Sequence, residues 1–136
     1  MFNKYVVFAL LGLGFVALVG YRYRVEILDA LCGTPPPASR SQIENALKND
    51  AMILDVRMYV ETRKEGANII PEAKNIPLLR LLWNLDELPR DRTIITYCES
   101  GKRAGKVADM LNARGFRAIS GGGILNLQRI LSETNQ

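Results

Sequence analysis

The sequence predicts an α/β domain with a mostly parallel central sheet flanked by helices, preceded by one transmembrane helix. Three observations predict this organisation. Residues 5–21 form an uncharged apolar run. Residues 51–56 and 93–97 have the apolar, β-branched composition of strands that are buried on both faces. Segments with helical spacing of apolar residues alternate with these strands, and such alternation is typical of parallel sheets whose crossovers are helices.

The apolar run predicts a retained single-pass anchor in the cell membrane. It contains 17 residues between Lys4 and Arg22, which is at the short end of what spans the hydrocarbon as a helix. Tyr5 and Tyr21 suit the membrane interface. The alternative is a cleavable signal peptide, but the stretch Ala-Leu-Val-Gly at 17–20 matches a cleavage site poorly. Basic groups on the two sides balance each other, so the side of the membrane that holds the domain stays open.

The prolines at 35–37 predict an extended spacer, because proline cannot continue a helix. We therefore divide the chain into an anchor over residues 1–24, a juxtamembrane segment with the spacer over 25–38, and the α/β domain over 39–136.

The first half of the domain begins with a helix, for which Ser41 and Glu44 form a candidate capping box. A strand over 51–56 follows, and then a weak strand over 73–76. Regularly spaced leucines predict one helix over 78–88, entered through Pro77 and ended by Pro89.

The second half contains the strand over 93–97 and a long amphipathic helix that starts at about Lys102 and closes before Gly115. A short strand over 117–119 is predicted next. The glycines at 121–123 are interpreted as a turn that leads into a last helix, whose apolar face consists of Leu127, Ile130 and Leu131.

Composition excludes several classes of function. The net charge of +4 is not concentrated in any basic run, so nucleic acid is not a predicted partner. Because the sequence has no histidine, Ser-His and Cys-His nucleophile pairs and nearly all zinc sites are excluded. We predict no metal and no cofactor. Of the two cysteines, Cys32 lies beside the apolar run and is interpreted as inert, which leaves Cys98 as the candidate nucleophile.

Cys98 ends a predicted buried strand, where ligands of parallel sheets bind. The loop Glu99-Ser100-Gly101 and the helix beginning at Lys102 follow it. Helix N-terminal N–H groups, with Lys102 and Arg103, are expected to favour the thiolate. Gly101 lets successive backbone N–H groups converge, so the same loop would hold an anion. The alternative is that Cys98 is a small buried apolar residue.

Four motifs together resemble a single-domain rhodanese, of the thiosulfate sulfurtransferase family. They are Asp55-Val56-Arg57, Asn75-Ile76-Pro77-Leu78, the stretch from Tyr97 to Arg103, and Gly121-Gly122-Gly123. The most specific of them is C-x-x-G-x-R between a buried strand and a helix, and the resemblance covers about residues 39–131.

The resemblance implies a rhodanese-like fold and a sulfurtransferase that carries a sulfane sulfur as a persulfide on Cys98. The donor would be thiosulfate, a small anion, or a persulfide, and the acceptor a thiol or cyanide. Glu99, Ser100, Gly101, Lys102 and Arg103 would bind the donor. Asp55 and Arg57 would support the loop.

The sequence departs from the family pattern in two places. Residues 68–73 read Asn-Ile-Ile-Pro-Glu-Ala where the family usually has G-H-I-P-G-A, and Leu127 stands where a tryptophan is common. Two other functions stay open. A membrane-tethered binding module without catalysis is one, and residues 68–73 favour it. The other is a cysteine phosphatase, which needs one more residue between Cys98 and Arg103.

Overall fold

A computed structural model describes residues 33–134 of the chain. Its helices and strands are, in order, α1 (Arg40–Lys48), β1 (Met52–Asp55), α2 (Tyr59–Thr62), β2 (Lys74–Asn75), α3 (Leu78–Leu81), a single 3₁₀ turn (Leu85–Glu87), β3 (Ile94–Cys98), α4 (Lys102–Asn112), β4 (Ala118–Gly123) and α5 (Ile124–Thr134).

The four strands form one parallel sheet in the order β2-β1-β3-β4. Both of its faces are covered. α3 and α4 pack on one face, around Leu54, Ile94 and Leu111. α1 and α5 cover the other face, around Ile43 and Ile95. All five residues of β3 are buried, as expected for a central strand of a parallel sheet. The predicted α/β fold with its parallel sheet is confirmed.

The cap of α1 differs from the prediction. Ser39 is the N-cap: its hydroxyl accepts from the Gln42 N–H at 3.3 Å, and the Gln42 side chain accepts from the Ser39 N–H at 2.8 Å. Ser41 and Glu44, which we predicted as the box, lie inside the helix, where Glu44 pairs with Arg40. The observed box begins two residues before the predicted one, directly after Ala38, whose N–H donates to the Ser120 carbonyl at 2.8 Å.

The single helix predicted over 78–88 is wrong. The segment forms α3 and the separate 3₁₀ turn, because Asn84 has a non-helical backbone (φ −132°, ψ 44°) and its side chain donates to the Arg80 carbonyl at 2.9 Å. The leucine spacing still identified core contacts, since Leu81 and Leu88 are buried.

Residues 121–123 belong to β4 and do not form the predicted turn. β4 pairs with β3 up to Cys98, opposite Gly123, and α5 follows directly. Glycine is required at 123 because a Cβ there would lie 2.8 Å from the Glu99 carbonyl oxygen. The loop after Cys98 thus approaches the end of β4 closely.

The predicted anchor over residues 5–21 and Cys32 lie outside the described residues. Within residues 33–134, no helix has both the length and the apolar composition needed to cross a membrane.

Candidate functional site

Cys98 is the last residue of β3, at the carboxyl edge of the sheet. Its side chain is 0% exposed and belongs to the apolar cluster that contains Val56 and Ala104. The helix α4 begins four residues later, at Lys102. The thiol therefore lies beneath the loop that joins β3 to α4.

Gly101 shapes this loop. It has a left-handed backbone (φ 93°) and is the N-cap of α4, and its N–H donates to the Cys98 sulfur at 3.1 Å. A Cβ at this position would lie 3.0 Å from backbone atoms of Gly122 and Gly123, so space as well as φ requires glycine. The loop thus directs a backbone donor at the sulfur atom.

A buried ion pair lies next to the loop. The Arg57 guanidinium donates to both carboxylate oxygens of Asp55, at 2.8 Å and 3.1 Å. The Tyr97 hydroxyl donates to the same carboxylate at 2.9 Å. These hydrogen bonds with Asp55 raise the pKa of Arg57, while burial, and then the nearby Asp55 charge, raise the pKa of Tyr97. Arg57 is therefore fully charged and Tyr97 neutral at physiological pH.

Arg57 also connects this pair to the site loop. Its guanidinium donates to the Glu99 carboxylate at 3.1 Å and to the Asn68 carbonyl at 2.9 Å. The Asn75 amide donates to the carbonyls of Asp55 and Arg57, each at 3.0 Å, and so fixes the backbone at the end of β1. Arg57 thus holds the residue that follows Cys98.

A second ion pair lies at the rim of the site. The Arg103 guanidinium donates to the two Glu61 oxygens at 2.7 Å and 2.6 Å. The same carboxylate accepts from the Met58 N–H at 2.8 Å. Above all, the hydrogen bond from Arg103 lowers the pKa of Glu61 to about 2. Interactions with Glu61 and, to a smaller extent, with the Cys98 sulfur raise the pKa of Arg103.

The outer side of the loop borders a cavity of 340 Å³. Its lining includes Ser100, Gly101 and Lys102 from the loop, Gly122 and Gly123 from β4, and residues 34–37 from the proline segment. Cys98 is not among the lining residues. The proline segment therefore contacts the domain beside the site.

The structure brings most of the predicted site residues together. Gly101 contacts the sulfur, Arg103 interacts with it, and Arg57 joins Asp55 to Glu99. Ser100 and Lys102 are exposed and line the cavity, whereas Cys98 does not. The sequence analysis missed Glu61, the partner of Arg103. The sequence did contain one signal for Glu61. It is an acidic residue that follows Arg57 closely, where the chain leaves the carboxyl edge of the sheet and can reach the site.

Comparison with known proteins agrees with this geometry. The model of the rhodanese-like domain matches residues 39–125. The chain belongs to the rhodanese-like domain family. The match includes β1, the Cys98 loop and β4, which together carry the site.

Two similar proteins of known name are sulfurtransferases. One is a tRNA sulfurtransferase of Desulfurococcus amylolyticus, 28% identical over 112 residues, which are 80% of this chain and 22% of the relative. The other is a sulfurtransferase of Allochromatium vinosum, 29% identical over 79 residues, 58% of this chain and 66% of the relative. The chain thus spans only part of each. A solved NAD-dependent persulfide reductase from A. fulgidus is 30% identical with a TM-score of 0.51, covering 74% of this chain and 17% of that protein.

Proposed function

We propose that this protein is a sulfurtransferase that moves a sulfane sulfur from thiosulfate or a persulfide donor to a thiol or cyanide acceptor through a persulfide on Cys98. The observation that carries the proposal is the geometry of the Cys98 loop. The Gly101 N–H donates to the sulfur at 3.1 Å, and the same sulfur contributes, after Glu61, to the raised pKa of Arg103. Sulfurtransferase relatives support it.

The chemistry needs no general base once the thiol is ionised, which suits a chain without histidine. The Cys98 thiolate attacks the outer sulfur of the donor, the sulfur–sulfur bond breaks, and sulfite or a thiolate leaves. The acceptor then attacks the outer sulfur of the Cys98 persulfide and regenerates the thiolate, so the two steps share one residue. The Gly101 N–H stabilises the negative charge on sulfur in both steps.

Because Cys98 is 0% exposed, a donor reaches the sulfur only when the loop moves. Glu99 and Ser100 are exposed, whereas Arg57 beneath them is fixed by the buried pair. We therefore propose that the Glu99 carboxylate releases Arg57, that Glu99 and Ser100 then swing outward, and that the Arg57–Asp55 pair stays in place.

Mass spectrometry tests the proposal directly. The full chain is incubated with thiosulfate and with an organic persulfide, and one added sulfur atom is expected on Cys98. Cys98→Ser should lose this gain and Cys32→Ser should keep it, which makes the second cysteine a matched control. A gain on Cys32 alone, or no gain with either donor, would contradict the proposal.

We further propose that residues 5–21 anchor the protein in the cell membrane as a single span. The support is the sequence alone: an uncharged run of sufficient length between basic residues. The full chain should remain with the membrane fraction after washing with alkaline carbonate. Release into the supernatant would favour a cleaved signal peptide.

A membrane-tethered binding module without catalysis is the second candidate. Large apolar side chains exposed around α3 favour it, with Leu79 at 64% and Trp83 at 87%. The sulfur-gain experiment separates the two, because a binding module leaves Cys98 unmodified.

A further inference from the structure

We propose that Glu61 determines which donor the site accepts: by neutralising Arg103, it makes the Cys98 site selective for organic persulfides over thiosulfate. This inference rests on the proposed sulfur transfer and goes beyond it by naming the donor class. Glu61 acts through Arg103 and is thus a positioning residue for specificity.

The first step is the balance of charge around the sulfur. Arg57 is matched by Asp55 and by Glu99. Arg103 gives both arms of its guanidinium to Glu61 at 2.7 Å and 2.6 Å. Such a bidentate ion pair uses the N–H groups of Arg103 that would otherwise be available to bind an anionic ligand. Among residues 33–134, Lys102 is the loop cation that forms no ion pair with a carboxylate, and it lines the cavity.

The second step is the surroundings of the thiol. Cys98 is buried in an apolar cluster with Val56 and Ala104 beside it. A doubly charged ligand loses more hydration free energy than a singly charged one when it enters such a site, unless cations replace its water. Arg57 and Arg103, the two arginines near the site, are already paired with carboxylates. They therefore replace the lost water of a doubly charged ligand only incompletely.

The third step is the chemistry of the two donors. Thiosulfate brings two negative charges to a thiolate, and the transfer yields the Cys98 persulfide and sulfite. An organic persulfide R–S–SH reacts with the thiolate to give Cys98–S–SH and R–S⁻, in which one sulfur–sulfur bond breaks and one forms. The second reaction brings at most one negative charge to the thiolate, against the two of thiosulfate. A site whose charges cancel therefore favours it and discriminates against the dianion.

Donor kinetics with the full chain test the inference. Rates of sulfur gain on Cys98 are measured with thiosulfate and with N-acetylcysteine amide persulfide, whose organic part is uncharged. The wild type should react about tenfold faster with the persulfide. Glu61→Gln frees the Arg103 guanidinium, so it should accelerate the thiosulfate reaction about fivefold, through a lower KM, and change the persulfide rate by clearly less than that.

Two variants serve as controls. Glu61→Asp keeps the carboxylate and should retain the wild-type preference. Glu65→Gln removes the same charge from an exposed position in the segment after α2 and should leave both rates unchanged. If Glu61→Gln fails to fold, the salt dependence of the wild type still tests the inference. A site with uncompensated positive charge would lose thiosulfate reactivity steeply with added salt, whereas a neutral site should show a weak dependence.

The outcomes are distinguishable. Absence of sulfur gain with both donors would overturn the proposed function itself. Sulfur gain in which thiosulfate is as fast as the persulfide, or equal acceleration of both donors by Glu61→Gln, would overturn only the role of Glu61. A steep salt dependence of the wild-type thiosulfate reaction would also overturn the role of Glu61.

Discussion

Arg57 and Arg103 both form ion pairs beside the Cys98 loop, but in different surroundings. The side chains of Arg57 and Asp55 are 1% and 3% exposed, whereas those of Arg103 and Glu61 are 35% and 27% exposed. Water can replace a lost partner at the rim but not in the interior. The comparison indicates that the inner pair, Arg57–Asp55, maintains the fold under the loop. The outer pair, Arg103–Glu61, can be changed at little cost in stability and is therefore suited to determine which ligand binds.

Matched substitutions of the two arginines give the largest expected effect. Arg57→Met leaves the Asp55 carboxylate buried without its charge partner, and we expect a loss of about 3–5 kcal/mol in the free energy of unfolding. Arg103→Met leaves Glu61 accessible to water, and we expect a loss below about 1 kcal/mol. Urea unfolding followed by circular dichroism measures both. Equal losses would show that burial does not separate the two pairs.

Glycine substitutions sharpen the comparison at the loop itself. Gly101 and Gly115 both have positive φ, at 93° and 79°, so alanine is strained at either position. A Cβ at Gly115 would meet only the end of the Arg90 side chain at 3.8 Å, whereas at Gly101 it would press on the β4 backbone. Both variants should lose about 1–2 kcal/mol of stability. Gly101→Ala should in addition lower sulfur transfer about 100-fold by displacing the loop.

The sulfur-transfer assay of the Gly115→Ala variant is the control. Its rate should stay within about twofold of the wild type, because the surface strain lies at the far end of α4. Similar rates in the two glycine variants would show that the position of the loop backbone does not matter for the reaction.

The sequence predicted the parallel sheet and the position of Cys98, because both depend on local patterns. The strand over 93–97 and the helix from Lys102 have strong periodicity and composition, and the glycine between them marks the turn. The prediction of one helix over 78–88 was wrong because leucine spacing indicates only which side chains are buried. A short helix followed by a 3₁₀ turn buries the same leucines as one continuous helix would. The structure decides between these two through one side-chain hydrogen bond from Asn84.

The sequence shows Glu61 as an acidic residue near the sheet edge, but its pairing with Arg103 could not be predicted, because the two residues are 42 positions apart. No periodicity or spacing specifies which surface carboxylate meets which arginine. The Asp55–Arg57 pair was easier to anticipate, since its members are two residues apart at the end of a strand. Sequence patterns thus located the candidate nucleophile, and the three-dimensional pairing of charges was needed to propose which donors the site excludes.

The smallest expected effect is the acid dependence of the outer pair. The pKa of Glu61 is lowered from 4.5 to about 2 in the folded protein, chiefly by the hydrogen bond from Arg103. A carboxyl whose folded pKa is depressed stabilises the fold above its unfolded pKa and loses that contribution as the pH falls through the folded value. Because both side chains are partly exposed, we expect Glu61→Gln to cost less than about 1 kcal/mol near neutral pH. Urea unfolding at a series of pH values should show this difference disappearing between pH 4.5 and 2. A difference that persists unchanged at pH 2 would mean that Glu61 stabilises the protein through packing, and that the charge of the outer pair contributes nothing to the fold.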